Sequence, residues 1–79
     1  MTQPNFLRGF IYAYWGNIQE FSKRVGVAPS TVYTWIDYRP RGMFRVIPEV
    51  VKSNDEVSAD MVINAVTIRE TQIYEESKA

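Results

Sequence analysis

The chain contains neither cysteine nor histidine. Without cysteine there are no disulfides, no thiolate metal ligands and no thiol nucleophile, and without histidine the commonest metal ligand and general base at neutral pH are missing. Carboxylates, hydroxyls, lysine and tyrosine remain, but the order of the chain sets no acid beside a base in an evident pair. The expectation is a protein that is not an enzyme and holds no metal or cofactor. Long apolar runs are also absent: none approaches the roughly 20 residues that cross a bilayer, and no basic start leads into an apolar stretch. A cytoplasmic location is expected.

What is present suits a small folded unit. Seventy-nine residues, 46% of them hydrophobic, with four prolines and four glycines, allow one domain with a single core. A domain of this size buries only about 60% of its unfolded surface, so modest stability is expected. Formal net charge is zero, but the charges are unevenly distributed. Residues 1–52 hold seven basic side chains against three acidic ones, a balance of +4, and residues 53–79 hold two against six, a balance of −4. Such an asymmetry predicts a basic working face and an acidic segment directed elsewhere.

Apolar spacing predicts an all-α bundle of four to five short helices. Residues 1–4 have no periodic signal and are expected to fray, with Asn5 as N-cap of a first helix over 6–15. There Phe6, Leu7, Phe10, Ile11, Tyr14 and Trp15 form one stripe, ended by Gly16. Asn17 caps a second helix, whose inward face is Ile18, Phe21, Ser22 and Val25 and whose end is Gly26. Pro29 opens a third, to about Tyr38, with Val32, Trp35 and Ile36 inward. Arg39-Pro40-Arg41-Gly42 reads as a connection in which Gly42 is free to take a positive φ.

Phe44, Val46, Ile47, Val50 and Val51 can line a short helix starting near Ile47 or Pro48, although residues 43–47 could equally be extended. Ser58 is a further N-cap. Beyond it, residues 65–74 are rich in β-formers and read as either helix or a short strand. The apolar excess of residues 61–74 is hard to bury in so small a monomer, which places a homodimer surface in the segment 58–79.

The most informative stretch runs from Ile18 to Ile36. Two helices meeting at a steep angle need a small residue where their backbones approach, a glycine between them and apolar residues that pin the second onto the first. Ser22, Gly26, Val25, Val27, Val32 and Trp35 stand at those spacings. The stretch, about residues 18–37, resembles the DNA-binding helix-turn-helix. Ser22 departs from the alanine more usual in that family, but is nearly as small and can bond back to a preceding carbonyl. Gly-Val-Ala-Pro-Ser-Thr-Val-Tyr-Thr-Trp at 26–35, with Ile47-Pro48 following, is similar to phage Cro and excisionase regulators over roughly residues 17–48.

That resemblance implies a nucleoid-associated regulator, a phage or prophage repressor that sets its second helix in the major groove of double-stranded operator DNA. It implies base contacts from Ala28, Pro29, Ser30, Tyr33 and Thr34, and phosphate contacts from Gln19, Lys23, Thr31, Arg39 and Arg41. The base-facing set has no Arg, Gln or Asn, so a large share of readout from DNA shape is expected. Two other roles fit the same motif. One is an excisionase-type architectural protein with residues 43–51 as a β wing, and the other is a protein-interaction module or antirepressor that uses its acidic end.

Overall fold

The computed structural model describes residues 4–78, within principal extents of 37 × 24 × 21 Å. The described residues form five α-helices and one 3₁₀ segment, with no strand among them. The helices are α1 (Phe6–Trp15), α2 (Ile18–Val25), α3 (Pro29–Asp37), α4 (Ile47–Ser53) and α5 (Ala59–Lys78). The 3₁₀ segment, Pro40–Val46, joins α3 to α4. The fold is an all-α bundle.

Capping explains where the first three helices begin and end. The Asn5 side chain accepts from Arg8 N at 3.0 Å and that of Asn17 from Glu20 N at 2.7 Å, each satisfying one otherwise orphaned donor. Gly16 and Gly26 close α1 and α2 at φ 91° and 87°. At the second of these ends the Ser22 carbonyl accepts from both Gly26 N (2.9 Å) and Val27 N (3.0 Å), turning the chain sharply from α2 into α3. The Ser22 hydroxyl itself donates to the Gln19 carbonyl at 2.9 Å, as its place inside a helix suggests. Pro29 occupies the first turn of α3, where its missing N–H costs nothing.

The core draws on every helix. Leu7, Ile11 and Trp15 come from α1, Ile18, Phe21 and Val25 from α2, Val32, Trp35 and Ile36 from α3, and Val62, Ala65 and Val66 from α5, joined by Met43, Val50 and Val57. Trp15 meets Phe21 edge-on with ring centroids 4.7 Å apart. Its indole N–H donates to Ser53 Oγ at 3.0 Å, which ties α1 to the end of α4. Asn54 then donates to the Tyr14 carbonyl at 2.7 Å, satisfying an orphan at the end of α1.

Several expectations change. Phe6, expected on the inward stripe of α1, is exposed, while Phe10 and Tyr14 pack only partly against the core. In the connection after α3 the buried side chains are Pro40 and Met43, and Phe44 is exposed, because the 3₁₀ turn rotates Phe44 outward. Gly42 has no positive φ. It is required instead by proximity, since a Cβ there would collide with Nε1 and Cδ1 of the buried Trp35 indole. Residues 43–51 are 3₁₀ and α-helical, so the β wing is not formed. For residues 65–74, which the sequence leaves open between helix and strand, the structure has helix, part of the 20-residue α5. Ser58 caps it, its hydroxyl accepting from Met61 N at 3.3 Å.

The premise for a dimer surface is also altered. The monomer buries Val62, Ala65 and Val66 in its own core, and the large hydrophobic side chains left exposed on that stretch are Ile63 and Tyr74. Residues 1–3 and 79, to which the expected fraying and the expected 58–79 segment extend, lie outside the described residues. Pro4 is held: its carbonyl accepts from Gln72 Nε2 at 2.8 Å while Gln72 Oε1 accepts from Phe6 N at 3.0 Å. One amide on α5 thus clasps the start of α1.

Candidate nucleic-acid interface

An amphipathic helix that buries Val32, Trp35 and Ile36 must present its other residues to solvent. In α3 and its cap these are Ala28, Pro29, Ser30, Thr31, Tyr33 and Thr34, all exposed. Ser30, Tyr33, Thr34 and Asp37 fall at i, i+3, i+4 and i+7, and so share one stripe. All five side chains expected to meet bases are therefore on the open side of α3 or its leading cap.

Their hydrogen-bonding capacities differ. Thr34 Oγ1 donates to the Ser30 carbonyl at 3.0 Å, so its proton is turned inward while its lone pairs face out. Among the described residues the Ser30 hydroxyl has no such internal bond, leaving donor and acceptor both available. Asp37 brings a carboxylate to the far end of the stripe, where it can accept from a cytosine amino group and would repel a phosphate. It was not among the residues the sequence singled out.

Tyr33 is 43% exposed, and the Arg8 guanidinium of α1 lies over its ring, 6.0 Å from the centroid. This is the outer range of a cation–π contact. It gives the aromatic a partner and brings an arginine beside a face whose own residues include none. No local pattern announces Arg8, because the contact joins positions 25 residues apart on two helices. In the sequence Arg8 stands beside the stripe of Leu7 and Ile11, with no local feature that points to Tyr33.

The residues expected to meet phosphates lie on and around α3. Gln19 and Lys23 stand one turn apart on the exposed side of α2, and Thr31 is exposed in the first turn of α3. Arg24, beside Lys23, is drawn to Glu20 at 3.4 Å in an exposed i, i+4 pair. Among the described residues Lys23 and Arg39 have no carboxylate within 4.0 Å. Arg41 does: its Nε is 2.6 Å from Glu70 Oε2 on α5. The acidic segment was expected to be directed away from the basic one. Here it folds back upon it, because α5 packs along the 3₁₀ segment.

Between the end of α3, the 3₁₀ segment and α5 lies an open groove of about 920 Å³. Arg39, Arg41 and Arg45 line it, with Tyr38, Tyr74 and Glu70. Arg45 belongs to this cluster although the resemblance did not bring it into the site.

Beneath the exposed face, α3 is held from behind. The Ile36 carbonyl, in its last turn, accepts from Arg69 Nε at 2.7 Å and from Asn5 Nδ2 at 3.1 Å. Arg69 is buried, and its positive charge lies where the helix dipole is negative. Gln72 and Glu76 sit 3.4 and 3.9 Å from its Nη1. The sequence offered no sign of this role, since Arg69 reads as one more charge on a polar segment. Among the described residues no group of three acidic side chains could hold a metal ion, and no helix is long and apolar enough to cross a membrane. No protein-family model matches the chain, and no curated protein or solved structure is significantly similar to it.

Proposed function

We propose that the chain is a sequence-specific DNA-binding regulator, a binding protein and not an enzyme, which represses by occupying operator DNA. The observation that carries this reading is the geometry of the α2–α3 turn. Gly26 in the left-handed region and the small, back-bonded Ser22 let α3 cross α2, with Val32, Trp35 and Ile36 buried and Ser30, Tyr33 and Thr34 outward. A helix presented in this way fits the major groove, where base edges are distinguishable.

In this reading Ser30 and Thr34 hydrogen-bond to base edges, Ala28 and Pro29 meet thymine methyl groups, and Tyr33 stacks on or bonds to a base or sugar. Gln19, Lys23, Thr31, Arg39 and Arg41 fix the register on phosphates without reading sequence. One short helix reads few base pairs, so two copies bind symmetric half-sites as a homodimer. The exposed Ile63, near the start of α5 and outside the groove lined by Arg39, Arg41 and Arg45, is the apolar group available for that contact.

Selection from a pool of random duplex DNA at two salt concentrations, followed by sequencing of what is retained, tests the proposal. The expected result is a two-fold symmetric site. Each phosphate neutralised contributes about −0.9 to the slope of log affinity against log salt, so three cations per copy give roughly −3 for each copy and about −5 for the dimer. No retention at low salt would overturn DNA binding, and recovery of tandem direct repeats would overturn the symmetric dimer.

A further inference from the structure

The groove between the 3₁₀ segment and α5 has a composition that α3 lacks. Three guanidinium groups, those of Arg39, Arg41 and Arg45, line it around one carboxylate, Glu70. The phenols of Tyr38 and Tyr74 add hydroxyl donors to the lining, whereas the hydroxyls of Thr34, Thr71 and Ser77 already donate to helix carbonyls. Thr34 and Tyr38 belong to α3 or its end, so the groove continues the exposed side of that helix. Planar guanidinium groups match the oxygens of a phosphodiester, and one such group is neutralised here by the chain itself, through the 2.6 Å contact between Arg41 and Glu70.

We propose that this groove seats a backbone phosphodiester of the bound DNA, and that Glu70 is its intrachain competitor. The carboxylate sits beside the Arg41 guanidinium, draws it toward α5 and repels an approaching phosphate. Arg41 is 74% and Glu70 39% exposed at the side chain, so solvent screens the pair and exchange of one anion for another is open sterically. DNA binding then requires Arg41 to leave Glu70, which makes α5 a brake on affinity as well as a support for the fold. The proposal rests on the DNA-binding reading above and adds Arg45 to the contacts.

The test compares Glu70→Gln with Glu75→Gln in the full chain. Each removes one negative charge from exposed or half-exposed positions of α5, but only Glu70 lines the groove. The expected result at low salt is affinity for duplex DNA about two- to fivefold tighter for E70Q than for E75Q, the range set by the strength of an exposed ion pair. Arg41→Gln is expected to weaken binding more in the E70Q chain than in the unsubstituted one, because only there is Arg41 already released.

Equal effects of E70Q and E75Q, or an R41Q effect independent of residue 70, would overturn the competitor. The salt dependence separates the two sources of the anion. A phosphodiester seated on the released Arg41 steepens the slope of log affinity against log salt by about one in E70Q relative to E75Q, and an unchanged slope would overturn the DNA assignment. Failure of every chain to bind duplex DNA at low salt would overturn the proposed function itself.

Discussion

Arg69 Nε donates to the carbonyl oxygen of Ile36 across 2.7 Å and 33 positions of sequence, and Asn5 donates to the same oxygen at 3.1 Å. The last turn of α3 is thereby fastened to α1 and α5 through a single atom. A carbonyl with two donors keeps one when the other is removed, so the two side chains are energetically coupled. We expect Arg69→Met to cost about 1.5–3 kcal/mol, as for a hydrogen bond to a charged group, and Asn5→Ala about 1 kcal/mol through its cap. The double substitution should cost more than the sum, since it leaves the carbonyl without either donor. Urea unfolding of the four chains measures this, and strict additivity would refute the shared acceptor.

Gly42 and Gly9 should respond in opposite senses to alanine. A Cβ at Gly42 runs into the Trp35 indole, which is 6% exposed and cannot swing clear, so Gly42→Ala should lose about 1–3 kcal/mol and perturb the near-ultraviolet dichroism of tryptophan. A Cβ at Gly9 meets nothing within 4 Å in the middle of α1, so Gly9→Ala should gain about 0.5–1 kcal/mol. Thermal melts of the two variants decide it.

Gly26 holds φ at 87° between α2 and α3. Alanine has room there but not the backbone freedom, so Gly26→Ala should destabilise by about 1–2 kcal/mol. Any surviving folded fraction should bind DNA less well, because the strain falls on the angle between the two helices. Melting and DNA titration in parallel separate the two effects.

On DNA, contacts to bases and to phosphates should differ in kind. Tyr33→Ala should cost about 1–3 kcal/mol and relax the sequence preference. Lys23→Gln should weaken binding evenly across sequences and flatten the salt slope by about one. Arg8→Gln, which withdraws the cation over Tyr33, should follow the tyrosine pattern if Arg8 reaches the groove with it. Titrations against the selected site and a scrambled one, at several salt concentrations, distinguish these outcomes.

The helix ends were legible because capping is local: as caps, Asn5, Gly16, Asn17 and Gly26 each bond within five residues of themselves, although Asn5 also reaches Ile36. Outward and inward faces of α2 and α3 followed from spacing for the same reason. The segment after Gly42 was harder, since its short apolar run suits several backbones and the choice falls to the Trp35 indole and the pocket that takes Met43. In α5 the β-branched residues were overridden by burial of Val62 and Val66 against the bundle. Arg8, Arg41 and Arg69 act through partners 25 to 33 residues away, and a charge says nothing by itself about what it will meet.

The clasp of Gln72 on Pro4 and Phe6, together with the bond from Arg69 to Ile36, makes the placement of α1 and α3 depend on a helix that follows both in sequence. A chain in which α5 has not docked can still form α3, but without the donor from Arg69 to its last turn. On the proposed reading, any change that loosens α5 should therefore weaken DNA binding without touching a residue of the exposed face.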